Sequence, residues 1–306
     1  MQTSKDGKQW SMSYQPSHAA AIVFIACFGV GTIIHFAQMV WLRSWYFIPF
    51  LIGCMMETFG YYGRFWLSQE PGNFKAYVLY DLLVLPAPIF LAATLYMSLS
   101  RIIQILDADE LSPIRPKLMS KLFVIFDVLC FLVQISGIGM GVTTSLNIQR
   151  IGGKVVIIGL VLQILVFVVF IWMAVLFLQR CKAQSGSNTL RWKRYIGTLL
   201  VASGCIMVRN IVRGIEHAQG SDGTVTSKEV FIYMFDALPI FATVFLFAVF
   251  QPGRLQRAVR GFNASTYVED DIGMKQESQM EDLVAKYTPA KSKYGRPYEQ
   301  PAIYSR

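Results

Sequence analysis

Charge is scarce in this chain: Asp, Glu, Lys and Arg together make 15% of the 306 residues, against about 25% in ordinary soluble domains. That deficit excludes a conventional water-soluble globule of this length. Histidine is scarcer still. His18, His35 and His217 are the only three, and no two stand three or four positions apart, so they offer no zinc site. Cysteine is few and odd in number. Of the five, Cys27, Cys54, Cys130 and Cys205 fall in apolar stretches and Cys181 in a basic loop, which gives no disulfide framework and leaves them as small buried hydrophobes. No Gly-rich loop ending in Lys-Ser or Lys-Thr is present, so the signature of ATP-driven machinery is missing. The residues up to Pro16 are polar and lack the layout of a cleaved signal, which leaves the first apolar stretch to act as the targeting signal. No internal repeat survives inspection, and inverted-repeat transporter architectures are therefore not supported.

What is present is apolar length. Hydrophobic residues make 54% of the chain, and charge gathers at 101–121, 179–194 and 251–306. Between those patches, apolar segments can be drawn at about 18–41, 46–67, 76–100, 120–144, 155–178, 195–217 and 230–250, each near the 20 or so residues that a helix needs to cross hydrocarbon. The expected fold is an all-α bundle of seven transmembrane helices over 18–250, with an extracellular segment 1–17 before it. A cytosolic tail, 251–306, follows and is disordered from about 262, where the composition turns polar. Pro86 and Pro88 break the third segment, while Pro49 and Pro239 fall in the second and seventh. Proline inside a span kinks the helix and frees a carbonyl, which protein or a wet cavity must then receive.

The net charge of +9 does not mark a nucleic-acid binder, because the basic residues flank apolar spans instead of forming a basic face. They set the orientation. Arg43, Arg101, Arg115, Lys117, Lys121, Arg180, Lys182, Arg191, Lys193, Arg194, Arg254, Arg257 and Arg260 lie on one side, and Lys5, Lys8, Lys75, Arg150, Lys154 and Lys228 on the other. The richer side is read as cytosolic, which puts the amino terminus outside and the carboxyl terminus inside. Trp41, Trp45, Trp66 and Trp192 stand at span ends and read as interface anchors. Gly137 and Gly141 form a small-xxx-small pair that suits helix packing better than dimerisation.

Ionisable residues inside the spans carry the functional signal. Glu57, Arg64, Asp81, Asp127, Arg209, Arg213, Glu216 and Asp236 all fall there. Each costs about 2.5–3.5 kcal/mol at mid-membrane, or roughly 20 kcal/mol if all stood unpaired. They are expected to face inward, pair or meet water. Glu57, Tyr61 and Arg64 stand at i, i+4 and i+7, Arg209, Arg213 and Glu216 repeat that spacing, and Asp127 and Gln134 are seven apart. Three helices thus each carry a polar stripe on one face. Counting depth at about 1.5 Å per residue puts Arg64, Asp81, Arg213, Glu216 and Asp236 near the external side. Glu57 and Arg209 fall deeper, with Asp127 and His35 toward the cytosol. One reading is a set of structural ion pairs that lock the bundle. The other is a cavity. Five acids oppose three arginines, and a surplus acid in an apolar interior carries a proton or pairs with a cation from elsewhere. An amine-bearing amphiphile, its amine nearest Glu57 or Asp81, is the candidate ligand.

Several short motifs, in order, resemble a known family. Tyr14-Gln15-Pro16-Ser17 and Glu57-Thr58-Phe59-Gly60-Tyr61-Tyr62-Gly63-Arg64 are similar to the start of fungal RTA-like proteins, the lipid-translocating exporter family. Pro86-Ala87-Pro88 with Ala92, Ala93 and Tyr96, then Phe126-Asp127-Val128 with Gln134 and Gly137, resemble its third and fourth spans. Arg209-Asn210-Ile211-Val212-Arg213-Gly214-Ile215-Glu216, Phe235-Asp236 and Gln251-Pro252-Gly253 resemble its sixth and seventh, with Gln251 standing where histidine is expected. The resemblance implies a seven-helix membrane protein tied to movement or tolerance of amphiphilic lipids, including sphingoid long-chain bases, at the plasma membrane or an internal membrane such as the endoplasmic reticulum or vacuole. Its signature residues here are Glu57, Tyr61, Arg64, Asp127, Gln134, Arg209, Arg213, Glu216 and Asp236.

The functional expectation is a lipid transporter or translocator with no cofactor and no catalysis, using Glu57, Tyr61, Arg64, Asp81, Asp127, Gln134, Arg209, Arg213, Glu216 and Asp236 to bind substrate. Membrane lipids are its partners, and nucleic acid is not. A seven-helix lipid sensor whose tail recruits a cytosolic partner is the alternative. A G-protein-coupled receptor is not matched, since the third span ends Ser98-Leu99-Ser100-Arg101 and the seventh carries Leu238-Pro239. A membrane ceramidase would need several zinc-holding histidines.

Overall fold

Ser17 opens the first helix by accepting a hydrogen bond from the Ala20 N–H at 3.5 Å, a side-chain cap for donors that no earlier turn can satisfy. Asn73 does the same for the third, accepting from Lys75 N at 3.0 Å and Ala76 N at 3.4 Å. The computed structural model describes residues 17–70, 72–141, 143, 145–184, 190–219, 229–254 and 257. Residues 1–16 of the expected extracellular segment 1–17, and the expected disordered tail from about 262, lie outside the described residues.

Among the described residues all regular structure is helical. The helices are α1 (His18–Trp41), α2 (Ile48–Gln69), α3 (Phe74–Val84), α4 (Ala87–Ile105), α5 (Pro116–Gly141), α6 (Leu146–Gln184) and α7 (Leu190–Gln219). A short α8 (Glu229–Ile232) then passes through a π-helical turn, Tyr233–Ala237, into α9 (Leu238–Val249). Six segments among the described residues are long and apolar enough to cross a bilayer: His18–Trp41, Lys75–Ile105, Pro116–Met140, Asn147–Ala183, Lys193–Gln219 and Tyr233–Arg254. α2 is not one of them. It carries Glu57 and Arg64 and packs against α1, α3 and α4.

Outward faces are apolar. On α6, Ile158, Val161, Leu162, Leu165, Val168, Val169 and Trp172 are all exposed, a stripe at three- and four-residue spacing that suits hydrocarbon and not water. The stripes of polar residues turn the other way. α5 buries Phe123, Asp127, Cys130 and Gln134 while exposing Ile125, Phe126, Leu129 and Leu132. α5 and α6 meet closely at Gly137, where an added Cβ would lie 2.7 Å from the Gly152 carbonyl oxygen. That glycine therefore serves packing within the chain.

The prolines act at helix starts. Pro49, Pro88 and Pro239 each occupy the first turn of a helix, a position that suits the fixed φ of proline. The third expected segment is interrupted, at Leu85 and Pro86 between α3 and α4. The absent N–H of Pro88 leaves the Val84 carbonyl, four residues earlier, without its helical partner.

Candidate functional site

That freed carbonyl is filled by an arginine. Arg209 Nη2 donates to Val84 O at 2.6 Å, and Arg209 Nε donates to Asp236 Oδ1 at 2.7 Å. One turn along α7, Arg213 grips the same carboxylate with two donors, Nη2 to Oδ2 at 2.9 Å and Nε to Oδ1 at 3.4 Å. Its remaining donors reach the Tyr80 hydroxyl at 3.2 Å and Glu216 Oε2 at 3.3 Å. The i, i+4, i+7 stripe of α7 is thus used whole. Arg209, Arg213 and Asp236 are each no more than 5% exposed, and removing either sign from such a desolvated set strands a charge.

Arg64 of α2 approaches from the other side of Tyr80. It is fully buried, donates from Nε to the Tyr233 hydroxyl at 2.9 Å, and lies over the rings of Tyr233 and Tyr80 at 4.9 and 5.3 Å. Arg213 lies 6.0 Å from the Tyr80 ring centre, so one tyrosine of α3 sits between two guanidinium groups and offers both the negative face of its ring. The π-helical turn carries Tyr233 to Arg64 and Asp236 to both α7 arginines. A widened turn of this kind is a local register shift and recurs where function needs it.

Glu57 and Tyr61 complete the buried face of α2. Both are buried, and among the described residues neither Glu57 Oε1 nor the Tyr61 hydroxyl has a hydrogen-bond partner. Arg209, Asp236 and Arg213 are the charges that act on Glu57. Around Tyr61, the rings of Phe24, Phe28 and Tyr233 stack at 5.4, 5.6 and 6.4 Å. These two polar atoms, one helical turn apart, thus lie among aromatic faces and beside the fixed arginines, a setting that favours a donor-bearing partner. Asp81 is half-buried, and the charges acting on it come from Arg213, His217, Glu216 and Asp236.

Seven of the expected site residues therefore meet around this cluster, and Tyr61 adjoins it. The other two, Asp127 and Gln134, hold different helix pairs: Asp127 Oδ2 accepts from the Tyr96 hydroxyl of α4 at 2.7 Å, and Gln134 Nε2 donates to Gln163 Oε1 of α6 at 2.8 Å. The histidines are separate, with His18 Nδ1 at Ser68 Oγ, His35 Nε2 at Val244 O and His217 Nδ1 at Arg213 O. Among the described residues no group of three His, Cys, Asp or Glu side chains could hold a metal ion. Sequence reasoning missed Tyr80, Tyr233 and the Val84 carbonyl. For Val84 the signal was available, as Pro88 stands four residues after it.

The chain covered by these contacts has relatives. The family model described as RTA1 like protein matches residues 50–258. The protoporphyrin uptake protein 1 of Saccharomyces cerevisiae is 30% identical over 274 residues, covering 77% of this chain and 90% of that protein. The probable lipid transporter atnI of Emericella nidulans is 26% identical over 258 residues, covering 79% of this chain and 67% of that protein. The sphingoid long-chain base transporter RSB1 of Saccharomyces cerevisiae is 27% identical over 161 residues, covering 51% of this chain and 42% of that protein. No solved structure matches the chain. A match over residues 50–258, from the start of α2 to just beyond α9, takes in every residue of the buried cluster, and the chain belongs to the RTA1-like family.

Proposed function

We propose that this chain is a seven-helix membrane protein that moves amphiphilic, amine-bearing lipids, with sphingoid long-chain bases as the model substrate, and catalyses no reaction. The observation that carries this reading is the pair of unfilled polar atoms, Glu57 Oε1 and the Tyr61 hydroxyl, buried beside the arginine cluster. A protonated amine supplies what both lack: positive charge for the carboxylate, N–H donors for the two oxygens, and a cation for the aromatic faces. The acyl tail then lies along apolar helix faces. The names of the relatives RSB1 and atnI, which specify a sphingoid base and a lipid, support the same class of cargo.

The seventh crossing is assigned to α2. Its 22 residues span about 33 Å at 1.5 Å per residue, enough for the roughly 30 Å of hydrocarbon. Its charges face inward, while Ile52, Met55 and Phe59 face out. With seven crossings, the Lys and Arg asymmetry places the amino terminus outside and the tail in the cytosol, and the plasma membrane is the assigned location.

Binding of a labelled sphingoid base to purified protein tests the site. Glu57→Gln keeps the shape and removes the charge, so a weakening of about 2 kcal/mol, roughly thirtyfold in Kd, is expected. Asp81→Asn is expected to weaken binding less, because that side chain is half-buried and more screened. Affinity unchanged in both variants removes the amine from the account.

A further inference from the structure

Asp127 is the acid of the expected site that stands outside the arginine cluster. It lies on α5, 1% exposed. Oδ2 accepts from the Tyr96 hydroxyl at 2.7 Å, and Oδ1 has no partner among the described residues. The donor is held rigidly, since Phe123, Phe167 and Phe170 surround the Tyr96 ring at 5.2, 6.1 and 4.5 Å. Ion pairs among the described residues gather at Arg209 and Arg213, and none reaches Asp127. The titratable groups that face it are Tyr96 from α4 and Cys130 from its own helix, while α6 presents the rings of Phe167 and Phe170 to the same spot.

A carboxylate in that setting has one hydrogen bond, no counter-charge and a bare oxygen, which is an expensive state to hold in an apolar interior. A purely structural bond to Tyr96 would be made more cheaply by asparagine or serine, which carry no charge. The cheapest ligand that completes the site is a proton on Oδ1, with the Tyr96 hydroxyl still donating to Oδ2. α5 also offers a line of polar groups along one face. Ser120, Asp127 and Gln134 repeat every seven residues, Ser120 Oγ bonds the Tyr96 carbonyl at 3.0 Å and Gln134 bonds Gln163.

We propose that Asp127 and Tyr96 form a proton-binding site, distinct from the arginine cluster, at which one proton is taken up and released as the α4–α5–α6 interface changes its exposure. Uptake converts the carboxylate to the carboxylic acid at Oδ1, and release returns the proton to water, so no other bond is made or broken. Coupling this step to lipid movement rests on the transport reading above; the proton site itself does not.

Infrared difference spectra of the purified full chain, taken between two pH values, test the site without any transport. One carboxylic C=O component is expected in the wild type and in Glu57→Gln, missing from Asp127→Asn while the bands of the other carboxyls stay, and moved to higher frequency in Tyr96→Phe, where the carboxyl loses its donor. A difference spectrum in which Asp127→Asn removes no carboxylic component from that of the folded wild type overturns the proposal. Proteoliposomes with an imposed pH gradient and a labelled sphingoid base test the coupling. One proton per lipid multiplies the steady-state leaflet ratio by up to tenfold per pH unit, and Asp127→Asn is expected to keep gradient-independent exchange while losing that response. A gradient response equal in both proteins overturns the coupling. Exchange no faster than in empty vesicles refutes the transport reading and leaves the infrared result to judge the proton site.

Discussion

Asp236→Asn is expected to lose about 3–5 kcal/mol of stability, the largest effect of any single substitution in the membrane interior. Both α7 arginines spend their best donors on this carboxylate, at 2.7 and 2.9 Å, and both are buried. An asparagine of the same size leaves two guanidinium groups to share a neutral oxygen. Because folded proteins keep a margin of only about 5–15 kcal/mol, the variant is expected to yield little monodisperse protein in detergent and a sharply lowered unfolding temperature. Arg213→Gln on the Asp236→Asn background removes one stranded charge, so it should recover part of the loss, a non-additivity that a double-mutant cycle reads directly. A cost below about 1 kcal/mol for Asp236→Asn would mean that the arginines find other acids and the cluster is not a locked unit.

Gly63→Val is the second large effect, expected at about 3 kcal/mol, the upper end for overpacking. Gly63 sits where α2 meets α3, and an added Cβ would lie 2.9 Å from the Tyr80 backbone nitrogen and 3.3 Å from the Ala76 carbonyl oxygen. Backbone cannot rotate away as a side chain does, so α3 must shift outward and carry Tyr80 with it. Tyr80 stands between Arg64 and Arg213, and lipid exchange should fall together with stability. Gly204→Ala on α7 is the control. It has nothing within 4 Å of the new methyl and should be neutral or stabilising by up to about 1 kcal/mol. Thermal unfolding of the two variants side by side separates a close helix contact from a general intolerance of side chains at glycine.

Much of the inward-facing chemistry was legible because helical period needs only one segment. Glu57, Tyr61 and Arg64 lie within two turns of each other, as do Arg209, Arg213 and Glu216, and the high cost of exposing charge to acyl chains decides which way such stripes turn. Period does not say which helix a stripe will meet. Asp127 and Gln134 share a face of α5 as expected, yet they are bonded to Tyr96 of α4 and Gln163 of α6 and stand apart from the arginines. Tyr80 and Tyr233 escaped for the same reason, since each is significant only through an arginine on another helix. The break at Leu85 and Pro86 was readable from the prolines. That Pro49 and Pro239 would open helices and not bend them depends on the preceding turns, which apolar length alone does not mark. α2 is the instructive case. Its charges lower its mean hydropathy below that of its neighbours, and those same charges, buried, make it the centre of the site.

A structure of the protein determined with a bound long-chain base measures the central claim most directly. The amine is expected within about 3 Å of both Glu57 Oε1 and the Tyr61 hydroxyl, with Arg209 and Arg213 still on Asp236. A head group resolved elsewhere, with those two oxygens still bare, would contradict it.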